Sequence, residues 1–300
     1  MLITGVSGLL GNNLTHYFKN KFEVTGTYLK HPLRCNGVHT QRLDLTVGAE
    51  TRIFIDTLNP DFIIHCAAFT DIEACETDRE LAQRVNVLAT KNLVDAVAGS
   101  AGKIIYISTD AVYDGTKGKY TEADTPHPLN AYGQTKLEGE FEALHRPESL
   151  VLRTNIFGWN VQPKESIAEW MVRSFSQRIP FKGFTDVVFS SMYTFELASI
   201  LESLIAISAR GIYNCSSRDS LSKYEFAIQI AKIFGFDDSL VTPSSIENSN
   251  LKAARGKNLS LDVSKLTSVL GKVGPSVLDS INHFYRDYTV GLPAILKGKK

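Results

Sequence analysis

A chain of 300 residues with 32 basic and 32 acidic side chains carries no formal net charge, which argues against nucleic acid as the main partner, because phosphate binding needs a local excess of Lys and Arg. A hydrophobic fraction of 43% supports a sizeable core, and the length accommodates one large α/β unit, alone or with a smaller companion. No apolar stretch approaches the roughly 20 residues needed to span a bilayer, so no membrane partner is expected.

Residues 1–4 read as a short strand, 8–19 as a helix, 23–28 as a second strand and 49–58 as a second helix. Strands at 62–66, 103–109 and 150–153 follow, with helices at 79–98 and 131–144 between them. Repeated strand–helix alternation implies a parallel sheet wrapped by helices on both faces. The strands are apolar along their whole length, as strands covered on both faces are. Beyond Arg153 the pattern loosens. Residues 155–163 read as a loop, 165–177, 194–207 and 222–234 as helices, and 243–250 as a polar loop. Pro275 is expected as the first residue of a last helix reaching Tyr288. The Lys-rich end, 297–300, reads as a solvated tail.

Cys35, Cys66, Cys75 and Cys215 form no Cys-x-x-Cys pair, so zinc and thioredoxin-like chemistry are not indicated, and no metal is expected. Met1 leads straight into an apolar run without the pattern of a secretory leader. Free thiols in a reducing cytoplasm are therefore expected.

Between the first strand and the first helix stands Thr4-Gly5-Val6-Ser7-Gly8-Leu9-Leu10-Gly11. Gly5 permits a tight turn, Gly8 lets backbone approach a pyrophosphate, and Gly11 lets the helix pack close to the sheet. The helix N-terminus then offers free N–H groups and a partial positive charge to phosphates. The expected fold class is α/β: a Rossmann-type doubly wound parallel sheet over residues 1–154, with a smaller, partly interleaved C-terminal substrate-binding lobe over 155–300. Part of 180–215 is expected to return to the first domain.

An acid at the end of the second strand would bind ribose hydroxyls and favour NAD. Here Tyr28 is followed by Lys30, His31 and Arg34, with no carboxylate. A cationic cluster suits a ribose 2′-phosphate, so NADPH is the expected cofactor, with NADH the alternative. Asp44 stands either against the adenine or in a local turn.

Tyr132 and Lys136 are four residues apart and share a face of the 131–144 helix. Reduction of a carbonyl by hydride requires a proton for the alkoxide. A free Tyr, with a pKa of about 10, is a poor partner near neutrality unless a nearby ammonium favours its phenolate. Thr109 ends the apolar strand 103–109, at the strand terminus where ligands bind in open α/β sheets. It is placed to meet both a substrate carbonyl and the Tyr132 hydroxyl.

Longer stretches sharpen the reading. Ser108-Thr109-Asp110-Ala111-Val112-Tyr113-Asp114-Gly115, Asn130-Ala131-Tyr132-Gly133-Gln134-Thr135-Lys136-Leu137-Glu138-Gly139-Glu140, and Leu152-Arg153-Thr154 resemble the dTDP-4-dehydrorhamnose reductase family of extended short-chain dehydrogenases/reductases. So do Ala67-Ala68-Phe69-Thr70-Asp71 with Glu76, Val85-Asn86, Ser222 to Ala227 and Arg255 to Asp262. The resemblance implies reduction of a nucleoside-diphosphate 4-keto-6-deoxy sugar at C4, with Thr109, Tyr132 and Lys136 catalytic. It implies a cofactor along Gly5, Ser7, Gly8, Leu9, Leu10, Tyr28, Lys30, Asp44, Leu45, Cys66, Ala67, Ala68, Thr70 and Asn86, besides Tyr132 and Lys136. It implies a substrate against Thr70, Thr109, Asp110, Val112, Tyr113, Asn155 and Arg255, where Arg255 is either a diphosphate or sugar contact or a surface ion pair. A homodimer is a candidate assembly.

Two places depart from the family. Ile156 stands where enteric-type members carry Trp, and 189–193 replaces a Pro-containing turn, so neither sugar nor base is specified. Two other functions remain open. One is an NADP-binding regulatory subunit of the methionine adenosyltransferase type. The other is a nucleotide-sugar epimerase or dehydratase, weakened because Asp110 is followed by Ala111 instead of the usual Glu.

Overall fold

Seven strands form one wholly parallel sheet: β1 (Leu2–Thr4), β2 (Thr25–Tyr28), β3 (His39–Arg42), β4 (Phe62–His65), β5 (Lys103–Ile107), β6 (Leu150–Arg153) and β7 (Gly211–Asn214). Their order across the sheet is β7-β6-β5-β4-β1-β2-β3. The order reverses beside β1, and that switch point is where open α/β sheets bind ligands. The computed structural model describes residues 1–297; the rest of the Lys-rich end lies outside the described residues.

Successive strand residues point to opposite faces, and both faces are covered. Ile3, Ile64, Ile105 and Leu152 are buried on one side under Leu10, Leu14 and Phe18 of helix Leu9–Phe18 and Leu197, Leu201 and Leu204 of helix Thr194–Ala206. Leu2, Ile63, Ile104 and Val151 are buried on the other under Ile55, Leu93, Val97 and Ala143. Each such fully buried aliphatic side chain contributes roughly 1.5–3 kcal/mol. This two-sided burial is why the central residues of β1, β4, β5 and β6 are apolar, whereas β2 and β3 are not.

A second core is aromatic. Phe157, Trp159, Phe175, Phe189, Tyr193, Phe226 and Phe284 pack among helices Ile167–Ser176, Lys223–Phe234 and Val277–Thr289. Trp159 stacks on Phe284 with ring centroids 4.0 Å apart and donates its indole N–H to the Phe284 carbonyl at 3.1 Å. The chain leaves the sheet after Arg153, returns for Thr194–Ala206 and β7, and leaves again.

Four features differ from the sequence-based expectation. β3 has four residues, His-Thr-Gln-Arg, none of them buried, so it gives no apolar signal. β7 is a short edge strand that starts on Gly211 at φ +81°. The 79–98 segment is not one helix. Arg79–Gln83 and Ala89–Ala96 are separated by a π-helical turn at Arg84–Leu88, where buried Asn86 bonds outside the helix. Pro275 precedes helix Val277–Thr289 rather than beginning it, and that helix is not the last, since Leu292–Leu296 follows. Ser276 is the N-cap, in a capping box with Asp279 that outcompetes proline as a start signal. Among the described residues, no helix is long and apolar enough to cross a membrane.

Candidate active site

The glycine turn leaves β1 at Gly5, whose φ of +65° suits glycine. A Cβ there would meet the Ala67 Cα at 2.8 Å, and one on Gly11 would sit on the Gly5 carbonyl oxygen. Val6 N–H donates to the Thr27 carbonyl at 3.0 Å, tying the turn to β2. Gly8 is the N-cap of helix Leu9–Phe18, which has no side-chain cap and no acid in its first turn. First-turn N–H groups therefore stand without a side-chain acceptor where Gly8, Leu9, Leu10 and Gly11 form a cleft wall. This chemistry fits a dinucleotide pyrophosphate.

Towards the sheet edge, Tyr28 is half-buried, while Lys30, His31 and Arg34 are exposed. Asp44 accepts from the Thr46 N–H at 3.0 Å and the Thr46 hydroxyl at 2.7 Å, which are the bonds of a turn residue. Leu45 is buried beneath helix Gly48–Leu58. Sequence reasoning missed Arg42, which ends β3 in register with Tyr28 and donates from Nε to the Leu29 carbonyl at 3.2 Å. The signal was present, a cation two residues before Asp44, but the strand that aims it was not recognised.

At the C-terminal ends of β5 and β6 the chain turns into the site. Ser108 N–H donates to the Leu152 carbonyl at 2.7 Å, and Asp110 N–H to the Thr154 carbonyl at 3.2 Å. Thr109 N-caps the 3₁₀ turn Asp110–Val112, and its hydroxyl donates to Asp110 at 3.1 Å. Asn155 donates to the other Asp110 oxygen at 2.8 Å. Helix Ala131–Leu144 starts against this turn. Asn130 caps the Gly133 N–H at 2.9 Å, and any Cβ on Gly133 would overlap the Ala111 carbonyl oxygen. Tyr132 and Lys136 thereby share one cleft of about 430 Å³ with Thr109.

Of the expected residues, the cleft wall collects Gly8, Leu9, Leu10, Cys66, Ala68, Thr70, Thr109, Asp110, Tyr113, Tyr132, Lys136, Asn155 and Arg255. Gly5 and Ser7 lie behind it in the turn, and Ala67 packs beneath Gly5 with its N–H on the Thr4 hydroxyl at 3.2 Å. Six further expected contacts do not line the cleft: Tyr28, Lys30, Asp44 and Leu45, which lie towards the sheet edge, and Val112 and Asn86. The Val112 side chain is fully buried among Tyr113, Tyr120, Leu137 and Leu261. Asn86 bonds the Phe69 N–H at 2.8 Å and the Thr135 hydroxyl at 2.9 Å, bracing the 67–70 loop against the Tyr132 helix.

Burial dominates the electrostatics. It pushes the Tyr132 hydroxyl well above the usual phenol range, and the Thr109 hydroxyl is the group that pulls it back. Lys136, 3% exposed, is pushed down to about 7 by burial, opposed by Glu140 and Cys66. Its Nζ lies 4.0 Å from the centroid of the Tyr106 ring. In this fold, then, the proton of Lys136 is itself loosely held near neutrality, and Thr109 does the lowering that the spacing assigned to Lys136. Burial raises Asp110 to about 6, against the bonds from Asn155 and Thr109.

Sequence reasoning also missed Lys223. It lines the cleft with Val187, Val188 and Phe189, and burial and the Arg255 charge push it down to about 8. Its signal was the Ser222-x-x-Glu225 capping box, which makes Lys223 the first residue of its helix. Arg255 lines the same cleft and also pairs with Glu73 at 2.9 Å. Among the described residues, no group of three His, Cys, Asp or Glu side chains could hold a metal ion.

The parallel sheet, the glycine turn and the Thr109, Tyr132, Lys136 constellation define an extended short-chain dehydrogenase/reductase. Within that class the chain belongs to the family of the RmlD substrate binding domain, whose model matches residues 1–290. Methionine adenosyltransferase 2 subunit beta of Xenopus tropicalis is 33% identical over 281 residues, spanning 89% of this chain and 81% of that protein. A hypothetical dTDP-4-dehydrorhamnose reductase from Sulfolobus tokodaii superposes with a TM-score of 0.84 at 32% identity, over 93% of this chain and 98% of the other. The dTDP-4-dehydrorhamnose reductase of Bacillus anthracis, solved in complex with NADP, superposes with a TM-score of 0.83 at 26% identity, over 95% and 98% of the two chains.

Proposed function

We propose that the chain is an NADPH-dependent reductase of a nucleoside-diphosphate 4-keto-6-deoxy sugar. The observation that carries this reading is the convergence of Thr109, Tyr132 and Lys136 on one cleft whose wall includes the uncapped helix start at Gly8. The bound nicotinamide would supply hydride to the sugar C4. Tyr132, kept protonated by burial, gives its proton to the carbonyl oxygen as negative charge develops there. Thr109 donates to the same oxygen and orients the ketone. Lys136, close to neutrality in its proton affinity, returns a proton to Tyr132 and holds the nicotinamide ribose. Asp110 and Asn155, hydrogen-bonded to each other, offer polar groups to the sugar hydroxyls. Lys30, Arg34 and Arg42, without a carboxylate on β2, support NADPH over NADH.

The test is nicotinamide oxidation by the purified chain with dTDP-4-keto-6-deoxyglucose, comparing NADPH with NADH and wild type with Tyr132→Phe. Turnover that falls by about 10²–10⁴ in the variant is the expected result. A second reading, a regulatory subunit, is favoured by the 33% identity to a methionine adenosyltransferase beta subunit. Tight NADPH binding with no turnover of dTDP-, GDP- or UDP-linked ketosugars would overturn the reductase and support that subunit.

A further inference from the structure

The Thr109 hydroxyl has a single hydrogen, and the free fold has already assigned it. That hydroxyl donates to Asp110 Oδ1 at 3.1 Å, while its oxygen accepts the Ala111 N–H at 3.2 Å. A threonine hydroxyl offers one donor and two lone pairs, so one lone pair is left. The donor beside it in the cleft is the Tyr132 hydroxyl, on which Thr109 acts directly. In this arrangement Thr109 accepts and does not donate. A ketone oxygen is only an acceptor, so it finds no hydrogen on Thr109, and the Tyr132 hydrogen is drawn to Thr109 instead.

A proton on Asp110 reverses the count. Asp110 Oδ2 accepts from Asn155 at 2.8 Å, so a carboxyl proton belongs on Oδ1, against Thr109. Oδ1 then donates to Thr109, the Ala111 N–H keeps the second lone pair, and the Thr109 hydrogen is released into the cleft. The carboxyl is 3% exposed, and its burial lifts it to about 6. The ionisable groups that share the cleft with it are Cys66, Tyr113, Tyr132, Lys136, Lys223 and Arg255. Burial raises the Cys66 thiol and the Tyr132 phenol, which keeps both uncharged. Tyr113 spends its hydrogen on the Thr121 carbonyl at 2.7 Å, Lys136 lies over the Tyr106 ring, and Arg255 is paired with Glu73. Lys223 is the cation whose charge acts on Asp110 and favours its carboxylate.

We infer that Asp110 is a positioning residue for Thr109: with a proton it turns the Thr109 hydroxyl into a donor for the substrate carbonyl, and without one it holds that hydrogen away. This rests on the reductase reading, which supplies the carbonyl. The Asp110 proton exchanges with solvent and is not consumed. The proton delivered to the alkoxide still comes from Tyr132. Lys223 sets the balance by stabilising the ionised carboxyl.

The experiment is the pH profile of single-turnover NADPH oxidation by the full chain with dTDP-4-keto-6-deoxyglucose, in wild type, Asp110→Asn and Lys223→Met. The wild-type rate is expected to fall roughly ten- to hundredfold as pH rises through about 6, the loss of one hydrogen bond to a developing negative charge. An amide at 110 donates to Thr109 at every pH. Asp110→Asn, whatever its absolute rate, should therefore lose that fall and decline only about one unit higher, with Lys136 at about 7. Lys223→Met should move the wild-type fall upward, because a cation that favours the carboxylate is gone. Infrared difference spectra of wild type against Asp110→Asn, both saturated with NADPH, read the same carboxyl without turnover. Its acid band should vanish near pH 6, and at higher pH in Lys223→Met. A fall at the wild-type pH in Asp110→Asn, or an acid band already lost at pH 4, overturns the positioning role and leaves the reductase standing. Absence of wild-type turnover at every pH, with NADPH bound, overturns the reductase reading and this inference with it.

Discussion

Glu140 and Arg153 form a buried ion pair, 2.7 Å apart, with Glu140 four residues beyond Lys136 on the same helix. Arg153 reaches both carboxylate oxygens, donating from Nε at 3.0 and 3.2 Å and from Nη2 at 2.7 Å, and gives its remaining Nη1 to the Tyr113 hydroxyl at 2.6 Å. The Ser108 hydroxyl donates to the same carboxylate. One network thus ties the end of β6, the residue before Thr109 and the helix that carries Tyr132. Removing one partner leaves a buried charge uncompensated, which costs about 3–5 kcal/mol. Glu140→Ala is expected to lose that much in urea unfolding. A loss below about 1 kcal/mol would mean that the network contributes nothing to the fold.

Lys136 should be a residue that the fold bears for the sake of chemistry. Its folded pKa is about 7 against an ordinary 10.5. Between those values the unfolded chain holds the proton and the folded chain does not, so this group makes stability rise with pH from 7 to 10.5. Below pH 7 the whole penalty is present. Lys136→Met is therefore expected to be inactive yet more stable than wild type, on the order of 5 kcal/mol at pH 6, with the gain shrinking towards pH 10. Denaturant midpoints at pH 6, 8 and 10 measure this, and a destabilised variant at pH 6 contradicts it.

Asp110 works in the opposite direction. It ionises near 3.8 when unfolded and at about 6 when folded. Across that window the folded chain keeps a proton that the unfolded chain has released, so its contribution to stability is lost as pH rises from 4 to 6. Asp110→Asn should match wild type below about pH 3.5 and exceed it by about 2–3 kcal/mol above pH 6. Unfolding curves for the two proteins that run parallel across pH 4–6 would show that Asn155 and Thr109 fully offset the burial.

What could be read from the sequence followed signal strength. The helix 131–144 was legible to the residue because Asn130 caps it and its register sets Tyr132 against Lys136. β4, β5 and β6 were legible because burial on both faces makes most of their residues apolar. β3 was hidden because an edge strand with exposed side chains has no reason to be apolar. Lys223 was hidden for another reason. Nothing local tells a lysine at a helix start that Arg255, 32 positions on (255 minus 223), will be folded against the same cleft. Tyr132 and Lys136 could be placed together by spacing, but the direction of the Lys136 shift depends on burial, which spacing does not report.

The strand that was missed carries its own consequence for cofactor choice. Arg42 stands beside Tyr28 across the β2–β3 pairing, and its Nε bond to the Leu29 carbonyl holds it at the ligand-binding end of the sheet. On the NADPH reading, its terminal nitrogens are available to a 2′-phosphate, together with exposed Lys30. A charge-assisted contact of this kind contributes about 1.5–3 kcal/mol, or roughly ten- to hundredfold in affinity. Arg42→Ala is therefore expected to weaken 2′,5′-ADP by at least about tenfold in calorimetry while leaving 5′-ADP unchanged, because only the former carries the extra phosphate. The preference for NADPH over NADH in KM should fall by the same factor. Equal losses for both ligands would instead make Arg42 a brace for the Leu29 turn, and the 2′-phosphate would then fall to Lys30 and Arg34.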